Sequence, residues 1–158
     1  MNYCNGGEIH IGDCVWWDGG IKIGYILKVL STESELADAG LDVPSILISL
    51  SDTSDCGAPY VAYPQEGITD DGIQPLLPDE IRVKNEVLST VAKWLGRSTL
   101  NCCGIGCEYR SSVLLRWIVV DYSSEGYQSY EVSPPLDFVG LLDPDHVSFL
   151  YKPLNSKS

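Results

Sequence analysis

Apolar and polar positions alternate with period two through most of the chain and repeat at helical spacing in only one long stretch. Ile9-His10-Ile11 alternates, Gly12-Asp13 interrupts, and Cys14-Val15-Trp16-Trp17 is a second β-prone run. Asp18-Gly19-Gly20 then reads as a hairpin turn, because its glycines accept positive φ. Ile21, Ile23, Tyr25, Leu27 and Val29 alternate with Lys22, Gly24, Ile26 and Lys28, which is the pattern of a half-buried strand. Gly24 within it points to a bulge or a close backbone approach. Thr32-Glu33-Ser34-Glu35 is a capping box for a short helix over 33–39, and Gly40 is placed to end it. Residues 45–51 and 60–63 read as strands joined by a turn over 52–59, with Pro64 stopping the second. Residues 65–78 read as an acidic loop.

Residues 79–96 carry the helical pattern: Ile81, Lys84, Val87, Leu88, Val91, Trp94 and Leu95 form one stripe. Asp79 and Glu80 in its first turn, and Lys93 and Arg97 near its end, complement the helix dipole. Residues 101–107 read as a small-residue turn, 112–122 as a strongly apolar strand, and 127–132 as its hairpin partner. Pro134-Pro135 breaks the chain, short strands follow at 138–142 and 147–151, and 155–158 reads as a frayed tail. The predicted fold class is α+β, with small antiparallel sheets and one main amphipathic helix at about 79–96. Residues 1–154 are expected to form a single domain, with a β part over 1–65 and a second over 112–152.

Charge changes the picture, because it is segmented. The 158 residues hold 22 acids and 10 bases, for a net charge of −12. From 29 to 81 there is no Lys or Arg, and eleven acids: Glu33, Glu35, Asp38, Asp42, Asp52, Asp55, Glu66, Asp70, Asp71, Asp79 and Glu80. Residues 82–116 reverse the sign, with six bases against Glu86 and Glu108. Such a surface repels phosphate backbones and anionic lipid, so direct nucleic-acid or membrane binding is disfavoured. It suits a basic protein partner, for which complementary charge raises on-rate and selectivity. Solubility alone also explains an acidic balance.

The chemistry of common enzymes is missing from the pattern. There is no G-x-x-x-x-G-K-[ST] loop, no G-x-G-x-x-G after a strand, no H-E-x-x-H and no G-x-S-x-G. No cofactor and no metal site is expected, and the chain reads as a non-enzyme. A Cys/His pair drawn from His10 or His146, and carboxylate pairs such as Asp13/Asp18 or Asp70/Asp71, have no spacing that favours them. Asp143-Pro144-Asp145 is a turn rather than a calcium loop. The opening Met1-Asn2-Tyr3-Cys4-Asn5-Gly6-Gly7 has neither a basic nor an apolar signal region. The cytoplasm is therefore the expected compartment, and Cys4, Cys14, Cys56, Cys102, Cys103 and Cys107 are expected to remain thiols. Cys102, Cys103 and Cys107 lack the paired spacing of a zinc site. On a strand, Trp16 and Trp17 point to opposite faces, so either one lies in the core and the other stays half exposed as an interface anchor, or both are covered by the rest of the chain.

Gly12-Asp13-x-Val15-Trp16-Trp17-Asp18-Gly19-Gly20, followed by Gly24-Tyr25-Ile26, resembles the opening hairpin of small SH3-like barrels. It is also similar to the N-terminal part of immunity proteins of bacterial polymorphic or contact-dependent toxin systems. Val61-Ala62-Tyr63-Pro64 and Asp70-Asp71-Gly72-Ile73-x-Pro75-Leu76 add to that likeness, which spans roughly 8–96. The resemblance implies a cytoplasmic, non-enzymatic protein that binds and blocks one cognate toxin domain. On that expectation Asp52, Asp55, Glu66, Asp70 and Asp71 meet basic residues of a nuclease toxin, and Trp16 or Trp17 adds an apolar anchor. The alternatives are an SH3-like module for a peptide or small ligand, with Trp and Tyr lining its groove, and an enzyme of unrecognised type.

Overall fold

The computed structural model describes residues 1–18, 21–51, 58–98, 100, 102–110, 113–122 and 128–132. The predicted strands at 138–142 and 147–151, the tail, and the turns at 52–57 and 123–127 lie outside these residues.

Strands β1 (Cys14–Trp17), β2 (Lys22–Leu30), β3 (Ser45–Ser49) and β4 (Tyr60–Pro64) form where the alternation places them, but within β2 Ile26 is buried while Tyr25, Leu27 and Val29 are half-buried. Between them α1 (Glu33–Ala39) forms with its capping box closed: Glu35 N–H donates to Thr32 Oγ1 at 3.3 Å, and Thr32 N–H to Glu35 Oε2 at 3.1 Å. After β4 the expected acidic loop is instead wound up. A helical turn α2 (Gln65–Gly67) runs into a wider π-type turn (Ile68–Gly72), and a short β5 (Gln74–Pro75) follows. The reason is apolar: Ile68 and Ile73 are both fully buried, so the segment closes over a core rather than hanging in solvent. Next come α3 (Pro78–Trp94), β6 (Cys103–Arg110), β7 (Val113–Asp121) and β8 (Gln128–Val132).

The eight strands among the described residues belong to one antiparallel sheet rather than to several small ones. The mixed α and β character is as expected, with the sheet dominant. β6 is the element that the alternation reading missed. Its Cys, Gly and Ile residues look like a turn, yet Cys103, Ile105 and Cys107 all face the core while the glycines take the other side.

β2 organises the sheet. Ile23 pairs with Trp16 of β1 and with Ile105 of β6, so those two strands flank it. Tyr25 pairs with Cys14 of β1 and with Ser49 of β3, so β3 lies on the same edge as β6, further along. The two strands sharing that edge part company near Gly24. A Cβ there would collide with Ile48 Cγ2 and stand 3.1 Å from Ser49 O, so the predicted close approach is present. The bulge lies elsewhere in β2, between Ile26 and Lys28. The turn into β2 also differs in detail, since Asp18 itself holds φ 52.

Two cores result. One contains Trp16, Ile23, Val83, Val87, Val91, Ile105, Trp117 and Val119, between α3 and the β6–β8 half. The other contains Tyr3, Ile9, Val15, Trp17, Ile26, Ile46, Ile48, Ile68 and Ile73. α3 meets its core on most of the expected stripe: Lys84, Val87 and Val91 are buried, and Ile81, Leu88 and Leu95 pack against the core. The buried face also takes in Glu80, Val83 and Ala92, while Trp94 is 58% exposed. Glu80 Oε2 accepts from Trp16 Nε1 at 2.9 Å and from Leu77 N–H at 2.8 Å, and Lys84 Nζ donates to Tyr25 Oη at 3.0 Å. Buried polar groups with such partners are tolerated.

Candidate functional site

The sequence singled out Trp16, Trp17 and five acids, and the structure distributes them unevenly. Trp16 is fully buried and Trp17 is 8% exposed, which rules out the half-exposed alternative and leaves both covered by the rest of the chain. β1 lies between two cores, so both of its faces are covered, as in strands of a layered sheet. Trp16 stacks on Trp117 with ring centroids 6.2 Å apart. Trp17 enters the other core and presents one edge to a cavity.

That cavity, of about 460 Å³, opens where β3 and β6 diverge from β2. Its walls include Trp17, Leu50, Pro59, Ile118, Val120 and Tyr122. β6 contributes little bulk because it presents glycine. A Cβ on Gly104 would stand 3.0 Å from Leu50 O and 3.0 Å from the Tyr122 ring. Lys22 is the charged lining residue; its Nζ lies 4.9 Å from the centroid of the Trp17 ring and 3.0 Å from Asp18 Oδ2. The volume and the apolar lining fall in the range of small-ligand pockets. Lys22, Leu50, Pro59 and Tyr122 were not singled out from the sequence. The Gly-x-Gly alternation at 104–106 opposite an apolar strand was the available signal.

A second candidate is the acidic end beyond β3 and β4. Glu33, Asp38, Asp42 and Glu66 are exposed there. Residues distant in sequence meet at this end: Gln65 N–H donates to Pro44 O at 2.9 Å, and Val43 and Glu66 line one shallow cavity of about 310 Å³. Glu35 is held below the ordinary carboxylate range by the N–H groups of Thr32 and Ser31, the Thr32 hydroxyl and the charge of Lys28. Asp70 and Asp71 lie on the π-type turn directly after Glu66, and only their backbone is described. Asp52 and Asp55 lie outside the described residues. Leu50 and Pro59, on either side of that segment in the sequence, both wall the fork cavity.

The remaining chemistry is engaged structurally. Asp13 accepts from Tyr3 Oη at 2.7 Å and from His10 N–H at 2.9 Å, and Asp18 pairs with Lys22, so these two carboxylates serve different contacts. The His10 imidazole lies 3.5 Å from Glu8, and His146 lies outside the described residues. Burial pushes the Tyr3 hydroxyl well above the usual tyrosine range, and the Asp13 carboxylate adds to that. Among the described residues no group of three His, Cys, Asp or Glu side chains converges as a metal site would require. No helix among them is long and apolar enough to cross a membrane.

The cysteine expectation needs a correction. Cys102 is disulfide-bonded, while Cys4, Cys14, Cys103 and Cys107 are outside disulfides. Cys102 takes φ 64 at the entry to β6, so the cross-link stands where the chain turns into the central sheet. The chain matches no protein-family model, no curated protein and no solved structure.

Proposed function

We propose that the chain is an immunity protein: it binds one cognate bacterial toxin domain, a basic nuclease, and neutralises it by covering its active site or substrate surface. The observation that carries this reading is the acidic end. Glu33, Asp38, Asp42 and Glu66 are exposed on neighbouring connections, in a stretch from 29 to 81 that contains no Lys or Arg. A nuclease needs cations to hold a phosphate backbone, and an array of carboxylates competes for those cations. No catalytic residue is assigned to the chain in this reading, and no cofactor. The reading places the protein in the cytoplasm, which requires the fold to survive loss of the Cys102 disulfide in a reducing compartment.

The test is capture of partners from cells of the source organism at low salt, followed by assay of the captured protein. The expected result is one basic protein whose nuclease activity is abolished at equimolar ratio. A partner whose activity is unaffected by binding would overturn the reading.

The fork cavity favours a second reading, an SH3-like binding module for a peptide or small ligand, with Trp17 and Tyr122 as aromatic walls. Saturable change in tryptophan fluorescence with a short peptide, removed by Trp17→Phe, is its expected signature.

A further inference from the structure

The sheet has three terminal strands among the described residues, β4, β8 and the two-residue β5, and the two longer ones are protected differently. β8 carries Glu131, whose carboxylate binds Arg116 of β7 at 2.8 Å, and Val132 joins the core under α3. β4 reads Tyr-Val-Ala-Tyr-Pro and holds no charge. It keeps unbroken register with β3, from Ser45↔Pro64 to Ser49↔Tyr60. Tyr60 is 62% exposed, Ala62 and Pro64 are exposed, and even Val61 and Tyr63 are only half-buried. Natural sheets blunt their edges with lysines, bulges, covering segments or proline. Among the described residues β4 has only the last, and only at its final position. Among the described residues its outer edge therefore presents the N–H and C=O groups of Tyr60 and Ala62 to an extended chain that approaches.

The surroundings select which chain. Glu66 follows β4 by two residues, Asp42 lies on the connection that touches Gln65 through Pro44, and no base occurs from 29 to 81. We propose that β4 is a strand-addition site, and that its occupant is an extended basic segment of the partner protein. Main-chain hydrogen bonds along β4 supply the attachment. The exposed Tyr60 and Ala62 contact alternate side chains of the added strand, and the neighbouring carboxylates select Lys and Arg. This inference rests on the acidic-end reading above and adds a backbone mode of contact that charge alone does not require.

The experiment uses the full chain and three synthetic peptides. The first alternates Lys with Val and Thr, the second replaces every Lys by Glu, and the third is the Lys peptide with alternate backbone nitrogens methylated. Affinities are measured at low ionic strength, and amide hydrogen exchange locates the contact. The expected result is binding of the Lys peptide, no binding of the Glu peptide, slowed exchange within 60–64, and a loss of roughly tenfold or more on methylation. Equal binding of the methylated and unmethylated Lys peptides would overturn strand addition and leave the acidic-end reading standing. Slowed exchange at 128–132 instead of 60–64 would overturn the assignment to β4. Failure of the Lys peptide to bind would overturn the strand site and count against the acidic-end reading as well.

Discussion

The two cores on either side of β1 differ in how they are closed. The C-terminal core is closed by one long helix and contains polar groups: Glu80 bonds Trp16, Lys84 bonds Tyr25, and Arg97 reaches the buried Asp121 at 3.2 Å. On the outer face of that half of the sheet, Arg116 bridges Glu108 at 3.0 Å and Glu131 at 2.8 Å, so one base ties together carboxylates from the strands on either side of it. The N-terminal core is almost wholly aliphatic and aromatic, closed by short turns and by the chain start, with unmatched acids beyond it. The difference teaches a division of labour. One half has hydrogen-bonded polar groups in its interior and acids tied to a base outside; the other has an apolar interior and an excess of acids outside.

Substitution of the adjacent tryptophans is the strongest way to break this comparison. Trp16→Ala empties a fully buried site and removes the donor to Glu80, so a loss of about 3–5 kcal/mol is expected in denaturant unfolding. Reduction of the Cys102 disulfide comes next. Disulfides typically contribute about 2–4 kcal/mol, so the unfolding midpoint is expected to fall on adding reductant, with the folded state retained. A chain unfolded by reductant would contradict the cytoplasmic placement.

The sharper pair is Trp16→Phe against Trp17→Phe. The first leaves a buried Glu80 oxygen without its indole donor and is expected to cost about 1–3 kcal/mol. The second removes an indole N–H that has no hydrogen-bond partner among the described residues, so it should cost less than about 1 kcal/mol. Equal costs would erase the distinction between the cores.

The smallest effect is at α1. Thr32→Ala removes the cap and is expected to cost about 1 kcal/mol. Glu35 has its pKa lowered by that same cap, so its contribution is present above the unfolded-state carboxyl pKa and fades as pH falls through the folded-state value. Glu35→Gln should therefore flatten the acid limb of the stability profile, whereas Thr32→Ala leaves the backbone N–H groups that lower the pKa most. Tyr3 acts in the opposite sense: its raised pKa gives a contribution present below the ordinary tyrosine value and lost as pH rises beyond it.

Much of the β1–β4 half was legible, because alternation, the Thr32 cap and Gly24 each report a local requirement. α1 fell on its expected residues, and β7 and β8 paired as a hairpin as read. What was not legible depends on contacts across the sheet. β6 looks like a turn until β2 and β7 flank it and its glycines are seen to face the fork cavity. The α3 stripe was largely legible, but the burial of Glu80 beside it depends on Trp16, 64 residues earlier in the chain. The half-exposed alternative for Trp16 and Trp17 rests on a rule that holds only when one face of the sheet is wet. Glu66 could be placed on the surface from sequence; its meeting with the 42–44 connection could not.

The most direct test of the acidic end compares partners captured from source cells by the native chain and by a variant carrying Asp42→Lys and Glu66→Lys. Both positions are exposed, so the variant is expected to fold. The account predicts one basic protein held by the native chain, released as salt rises, and absent from the variant. The same partner held equally by both chains, or a partner that is itself acidic, would contradict it.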